Sequence, residues 1–261
     1  VRTLTIGDPA LLGTVTPRTP PAVASTAAVW WAGDLSLADG DPVSTWTDRI
    51  GGVSIANSLT ARPTYRSAHI GGRPAVDFDG SNDVLYASNP LSTAASGAVV
   101  AVVLVDTTSG SRGVWSSGDE ASASYYLLGT SSTSASGGTG RISLEAAQTS
   151  LQPHIRGNTT TLSTATPYLL EWSSSGSAHA LKVNGAGESI TVLSGTSNGR
   201  WFSGVSFRDS FALGALKFNG TATAYLDGAI AFLLVTTAPL SSGDRTALHS
   251  WVASHYGIAV S

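Results

Sequence analysis

The residues able to do chemistry are few and poorly paired. A retaining glycoside hydrolase needs two carboxyl groups about 5–5.5 Å apart. On a strand, positions i and i+2 share a face and can supply that spacing. The chain has four glutamates, Glu120, Glu145, Glu171 and Glu188, and none has an acidic residue two positions away. Asp77 and Asp79 form such a pair on a strand-like piece, but Gly80 and Ser81 follow and no third carboxylate is in phase. A serine nucleophile is not expected, because no Gly-x-Ser-x-Gly elbow is read in the chain. His69, His154, His179, His249 and His255 lie far apart. The last two share a helical stretch but sit on different sides of it, whereas a zinc pair needs two histidines four apart on one face. All five read as surface residues. Cysteine is absent, which excludes disulfides and thiolate metal sites. No catalytic residue is assigned, and the chain is expected not to be an enzyme.

Two groups could bind rather than react. Arg73 to Tyr86 holds the densest cluster of acidic and amide oxygens. Asp79, Asn82 and Asp83 there could form a turn, a ligand loop or part of a Ca²⁺ site; Ca²⁺ takes six to eight oxygens, more than this loop can supply alone. Asp79 and Asn82 are also turn formers that cap their own backbone, and Gly80 takes positive φ at no steric cost. The second group is aromatic. Trp115, Tyr125, Tyr126 and Trp201 lie near Ser/Gly-rich loops and could form a platform for the apolar face of a sugar. The competing role is core packing, since each such ring buries about 150–250 Å².

The elements that must hold these residues are strands. Only 12% of the 261 residues are charged and 42% are apolar, which suits short strands and small polar turns and argues against disorder. Gly97 to Val105 is apolar and rich in β-branched residues throughout, so it reads as a central strand covered on both faces. Shorter strands follow around 113–115, 125–128, 141–144 and 168–172, the spacing of a sandwich. His179 to Asn184-Gly185 reads as one arm of a hairpin, with Glu188 to Val192 returning. Phe211 to Phe218 and Ala222 to Val235 are the last strands, and Ser131 to Gly140 reads as an exposed loop. One helix is expected, with Ser241 as N-cap, Asp244 three residues on, Ala247, Leu248, Trp251, Val252 and Tyr256 on its apolar face, and Gly257 as C-cap. Residues 1–26, with Pro9, Pro17, Pro20 and Pro21, read as an extended arm, and 27–261 as one packed domain. The 14 basic residues are scattered, which excludes a nucleic-acid groove, and no apolar run is long enough for a membrane span. The first residues do not read as a secretory leader.

Three stretches together resemble the laminin-G-like branch of the concanavalin A-like lectin/glucanase superfamily. They are Trp46-Thr47-Asp48 before a Gly pair; Gly72 to Asp83; and Leu226-Asp227-Gly228-Ala229-Ile230-Ala231-Phe232 running through Ser241 to Tyr256-Gly257-Ile258. The resemblance covers about residues 27–259. It implies an all-β, two-sheet antiparallel jelly-roll sandwich with one short C-terminal helix behind the extended arm. Glycanases of that superfamily carry Glu, Asp and Glu at alternate positions of one strand, which this chain lacks. Some relatives bind Ca²⁺ through loop oxygens, which would fall on Asp79, Asn82 and Asp83. Such domains occur in adhesins and in bacteriophage tail or fibre proteins. The resemblance therefore implies a non-enzymatic virion component, oligomeric in its assembly, docked through the arm onto other virion proteins and touching host surface glycans. Its alternatives are a carbohydrate-binding adhesin module of a bacterial surface protein and, third, a diverged glycan hydrolase. The expected location is virion or extracellular.

Overall fold

The computed structural model describes residues 19–57, 60–89, 91–131, 139–148 and 153–261. Two large antiparallel sheets pack face to face as a jelly-roll-like sandwich. The first runs, in spatial order, Ala186–Gly187, His179–Val183, Pro167–Ser174, Gly97–Val105, Asp227–Thr236, Arg73–Asp79 and Thr64–Ile70, with Thr26–Trp31 also paired to Asp227–Thr236. The second runs Ile190–Ser194, His154–Gly157, Arg141–Ala147, Tyr125–Ser131, Arg112–Gly118, Ser210–Leu213, Leu85–Ala87, Ser54–Ala56 and Thr45–Thr47. Strand Gly97–Val105 is buried throughout, as its unbroken apolar run predicts. Val99, Ala101, Val103 and Val105 face the inter-sheet core. Ala98, Val100, Val102 and Leu104 face the opposite way, into a second apolar layer.

That second layer is roofed by helix Ser242–Tyr256, which lays Leu248, Trp251, Val252 and Tyr256 on the first sheet. Both caps form as the sequence implies: Ser241 Oγ accepts from Asp244 N at 3.1 Å, and Gly257 takes φ 71°. Arg245 adds a two-pronged bond to Glu171, at 2.8 and 3.2 Å, from helix to sheet. The second sheet is roofed over only part of its outer face. Hairpin Leu216–Phe218/Thr221–Thr223 covers strand Arg112–Gly118, with Ser116 Oγ donating to Ala215 O at 2.8 Å. On the strands beyond it the outward-facing Leu127, Ser143 and Arg156 are buried, while Tyr125, Arg141, Glu145 and His154 are partly exposed.

Three expected elements differ. Phe211 to Phe218 is not one strand, because Gly214 at φ 80° breaks it into Ser210–Leu213 and Leu216–Phe218. After the Asn184-Gly185 turn, with φ of 50° and 83°, only Ala186–Gly187 returns. Ile190–Ser194 crosses instead to the edge of the other sheet, beside His154–Gly157. At the N-terminus, residues 1–18 of the arm lie outside the described residues. From Val23 onward the chain is tied to the sandwich: Thr26 Oγ1 donates to Val23 O at 2.6 Å, and Thr237 N donates to Ser25 O at 2.8 Å. Most of the Ser131–Gly140 loop, residues 132–138, also lies outside the described residues.

Candidate functional site

The sequence candidates separate into three places. The oxygen-rich stretch is a strand–turn–strand corner between Arg73–Asp79 and Leu85–Ala87. Asp79 Oδ1 accepts from the amides of Ser81, Asn82 and Asp83 at 2.8, 3.1 and 3.4 Å. Asp83 Oδ2 accepts in return from Asp79 N at 3.0 Å. Gly80 sits at φ 73°, where a Cβ would stand 2.6 Å from Asp227 Cβ. Both carboxylates are turned onto this loop's own backbone. Among the described residues, no group of three or more His, Cys, Asp or Glu is arranged to hold a metal ion.

Asp83 gives the corner a pH signature. Burial, reinforced by the nearby Asp79 and Asp77 carboxylates, pushes its carboxyl up to about 6. The folded chain thus holds this proton more tightly than the unfolded chain, whose Asp titrates near 3.9. Stability from this group is full below about pH 4 and is lost as pH rises through 6. Asp83→Asn keeps an oxygen for the Asp79 amide and removes the charge. It is expected to match the wild type near pH 4 and to exceed it at pH 7 by on the order of 2 kcal/mol. Urea unfolding from pH 4 to 7 measures this; parallel pH dependence of the two proteins would refute it.

Three of the four aromatic candidates do not form a surface platform. Trp115 and Tyr126 are 0% exposed and Trp201 is 1% exposed. Strand alternation turns Trp115 and Tyr126 inward, where Phe202 stacks on Trp115 at 4.7 Å and on Trp201 at 4.5 Å. Tyr126 meets both Trp201 and Phe202 edge-on, at 5.5 and 5.4 Å. Proximity to Ser/Gly-rich loops in sequence does not decide exposure, because the face a ring occupies is set by its register and not by its neighbours in the chain. Tyr125, one residue before Tyr126, points the other way.

Tyr125 stands, partly exposed, on the second sheet's outer face beside residues the sequence does not single out. On Arg141–Ala147, Ile142, Leu144 and Ala146 face the core, so Arg141, Ser143 and Glu145 face outward. Register places His154 opposite Glu145 and Arg156 opposite Ser143. Tyr125 Oη donates to Glu145 Oε1 at 2.7 Å, and its ring lies 4.9 Å from that of Phe218 on the covering hairpin. Burial, then the Glu145 charge, pushes the Tyr125 hydroxyl up, so it stays a donor at every working pH. Arg156 is 8% exposed, and its Nε and Nη1 have no hydrogen-bond partner; Nη1 of Arg141 has none either. An aromatic pair, an acceptor carboxylate and two guanidinium groups therefore converge on one face. The alternation Arg141-x-Ser143-x-Glu145 was the signal available in sequence; the partner Arg156 needed the register.

Other clefts hold groups already paired to each other. An open groove of about 600 Å³ runs past Asp34, Leu37, Thr45, Trp46 and Arg49. Its Arg49 bonds Asp34 at 2.8 Å, and Thr47 bonds Ser54 at 2.8 Å. The histidines also need correction, since His179 and His255 are buried. His255 stacks on Trp251 at 5.1 Å. The Gly-x-Ser-x-Gly spelling does occur once, at Gly195-Thr196-Ser197-Asn198-Gly199, where no helix follows to make an elbow. Ser197 Oγ lies 3.1 Å from His179 Nδ1, but His179 Nε2 is bound to the Arg200 carbonyl at 2.8 Å and not to an orienting carboxylate. That pair braces the 197–200 loop.

No family model and no curated protein sequence matches the chain. Solved structures do. Domain 4 of AbnA, a GH43 extracellular arabinanase from Geobacillus stearothermophilus in complex with arabinotriose, matches with TM-score 0.59 at 15% identity, over 88% of this chain and 99% of that one. The K499G mutant of NanB sialidase from Streptococcus pneumoniae matches with TM-score 0.50 at 15% identity, over 66% of this chain but 27% of that one. The CBM40 of a Ruminococcus gnavus IT-sialidase, bound to α2,3 sialyllactose, matches with TM-score 0.47 at 15% identity, over 57% of this chain and 79% of that one. The likeness is one of fold, a two-sheet β-sandwich.

Proposed function

We propose that the chain is a non-catalytic carbohydrate-binding module that presents the partly exposed Tyr125–Phe218 patch of its second sheet to a glycan. The observation that carries this reading is the Tyr125–Phe218 aromatic pair beside the Glu145 carboxylate, all three side chains partly exposed. An aromatic ring packs against the apolar face of a sugar, and Glu145, Ser143 and His154 accept or donate to its hydroxyls. Glu145 supports binding rather than hydrolysis. Its cross-strand neighbours are Leu127 and His154, and its same-face neighbours along the strand are Ser143 and Ala147. None is acidic, so the second carboxyl a glycosidase needs is not beside it. Resemblance in fold to a domain described with arabinotriose lends the same reading support.

The module reading accommodates either host. On a phage tail or fibre it would contact surface glycans, and attachment would fall to the residues before Val23. On a bacterial surface protein or a secreted glycan-degrading enzyme it would hold its neighbours near substrate. A glycan array followed by calorimetry tests it. Saturable binding is expected, and Tyr125→Ala is expected to weaken it about tenfold, or about 1.4 kcal/mol, with the far-UV spectrum unchanged. Adding EDTA to the same array separates a Ca²⁺-dependent mode at Asp79, Asn82 and Asp83. Binding that survives Tyr125→Ala undiminished would move the site elsewhere, and no binding on the array would remove the reading.

A further inference from the structure

We propose that the glycan taken by this module is an extended neutral chain, and that Phe207 is a second aromatic subsite that holds it beyond the Tyr125–Phe218 patch. This rests on the module reading above and names the form of its ligand: an oligosaccharide gripped along its length, not by one terminal sugar. Among the described residues Phe207 is the one exposed aromatic ring, at 81%. Its segment is not frayed. Val205 and Arg208, on either side, are buried. Arg208 donates to Phe202 O, Val205 O, Ser117 Oγ and Ser92 O, and Asp209 N donates to Gly118 O at 3.0 Å. The ring therefore stands out from a turn that is pinned to the sandwich. Its backbone sits at φ 61°, a conformation costly for a bulky side chain and readily taken by Gly or Asn. Ile50 and Val192, the other large apolar residues that are exposed, have no positive φ. Phe207 thus packs little, at a position whose backbone favours a smaller residue. Such a ring is placed for contact with something outside the chain.

Phe207 and the Tyr125–Phe218 pair stand at one end of the second sheet, joined by the loop 119–124. Gly118, the acceptor for Asp209 N, lies opposite Tyr125 in register. On the loop, Glu120 N donates to Asp209 Oδ1 at 2.9 Å. Asp119 O accepts from Asn219 N, one residue beyond Phe218, at 2.8 Å. The same loop is therefore bonded directly to both aromatic segments. Its exposed side chains are Ala121 and Ala123, with Ser122 partly exposed between them, so no large group stands in the way of a chain crossing it. Its carboxylates are already taken. Glu120 bonds Lys217 Nζ at 2.6 Å and Ser210 Oγ at 2.8 Å; Asp119 bonds Ala121 N at 2.8 Å and Ser122 Oγ at 2.6 Å. The loop thus adds no unpaired charge, which suits a neutral ligand. A polysaccharide repeats an apolar face along its length, so two separated rings can each take one. Once the first is held, the second contact is intramolecular, and the two together exceed either alone.

The test titrates ladders of cello-, xylo- and arabino-oligosaccharides, from dimer to hexamer, into the whole chain by calorimetry. In at least one ladder the hexamer is expected to bind about tenfold tighter than the dimer. Phe207→Ala is expected to erase that gain, weakening the hexamer about tenfold and leaving the dimer unchanged. Tyr125→Ala should weaken both, and Phe207→Tyr, which keeps a ring, should retain the gain. Phe207→Asn should lose it yet melt at or above the wild-type temperature, because Asn accepts this φ more readily. Equal affinity along every ladder overturns the second subsite and leaves the module reading standing. So does a hexamer that Tyr125→Ala weakens and Phe207→Ala does not. A hexamer indifferent to both substitutions overturns both. Binding to none of the ladders overturns the extended neutral chain, and the array alone then decides the module reading. A Phe207→Asn protein that melts several degrees below the wild type shows a ring packed within the fold. Self-association that Phe207→Asn abolishes assigns the ring to a contact between copies. Either result overturns the subsite.

Discussion

Trp115→Ala is expected to cost about 3–5 kcal/mol and to act on folding, not directly on any ligand. The ring is fully buried, stacks on Phe202 at 27° between planes, and sits on a central strand of the second sheet between Leu128 and Leu213. Truncation leaves a ring-sized void in a region that Trp201 and Tyr126 also line, and a close-packed core collapses only partly around it. Against a total stability of about 5–15 kcal/mol this is a large fraction. At about 2–4 °C per kcal/mol for a domain of this size, the melting temperature should fall by about 10 °C. Trp115→Phe separates packing from everything else. It keeps an aromatic stack for Phe202 and deletes an indole N–H that has no partner, so its cost should stay under about 1.5 kcal/mol. Thermal and urea unfolding of the two variants give the comparison. A Trp115→Ala protein that melts with the wild type but no longer binds glycan would put the ring at a surface after all.

The same ring shows where sequence reading stops. Features set by local chemistry were legible: the caps at Ser241 and Gly257, the Asp79–Asp83 turn, the Asn184-Gly185 turn, and the doubly covered strand Gly97–Val105. Each follows from residues within a few positions of one another. Trp115, Tyr126 and Trp201 were not legible as core, because the ring they enclose, Phe202, lies far from the first two in the chain, and which face a residue takes follows from sheet register. The site face was half legible. Period-two alternation alone sets Arg141, Ser143 and Glu145 opposite Ile142, Leu144 and Ala146. Joining Arg156 and His154 to them required knowing that His154–Gly157 pairs with Arg141–Ala147 in the observed register. The crossing of Ile190–Ser194 to the other sheet was hidden for the same reason, since a strand after a hairpin turn carries no local mark of which sheet it will join.

Arg208 is bonded at all three guanidinium nitrogens, and its loss should be damaging. Its guanidinium draws three separate segments together. Nη2 donates to Ser92 O and Phe202 O at 2.8 and 2.7 Å, Nε donates to Phe202 O and Val205 O at 3.1 and 3.3 Å, and Nη1 donates to Ser117 Oγ at 2.7 Å. The plane also lies 5.4 Å over the Phe202 ring, the ring that carries Trp115 and Trp201. Arg208→Met fills much of the same volume but strands carbonyl oxygens of Ser92 and Phe202 without their donor. With about 1–3 kcal/mol for each buried acceptor left unpaired, the expected loss is on the order of 3–5 kcal/mol. Arg208→Lys supplies a different readout. Burial already lowers the Arg208 guanidinium to about 10. A lysine ammonium starts from a lower pKa, near 10.4, and has three donors where five bonds are now made, so burial would bring its titration down toward neutral pH. The folded variant then binds fewer protons than the unfolded chain, and its stability rises with pH between about 7 and 10. The wild type carries such a slope from this position only above about pH 9. Urea midpoints at pH 7, 8.5 and 9.5 distinguish the two. If Arg208→Lys tracks the wild type across all three, the guanidinium is not buried as the hydrogen bonds require.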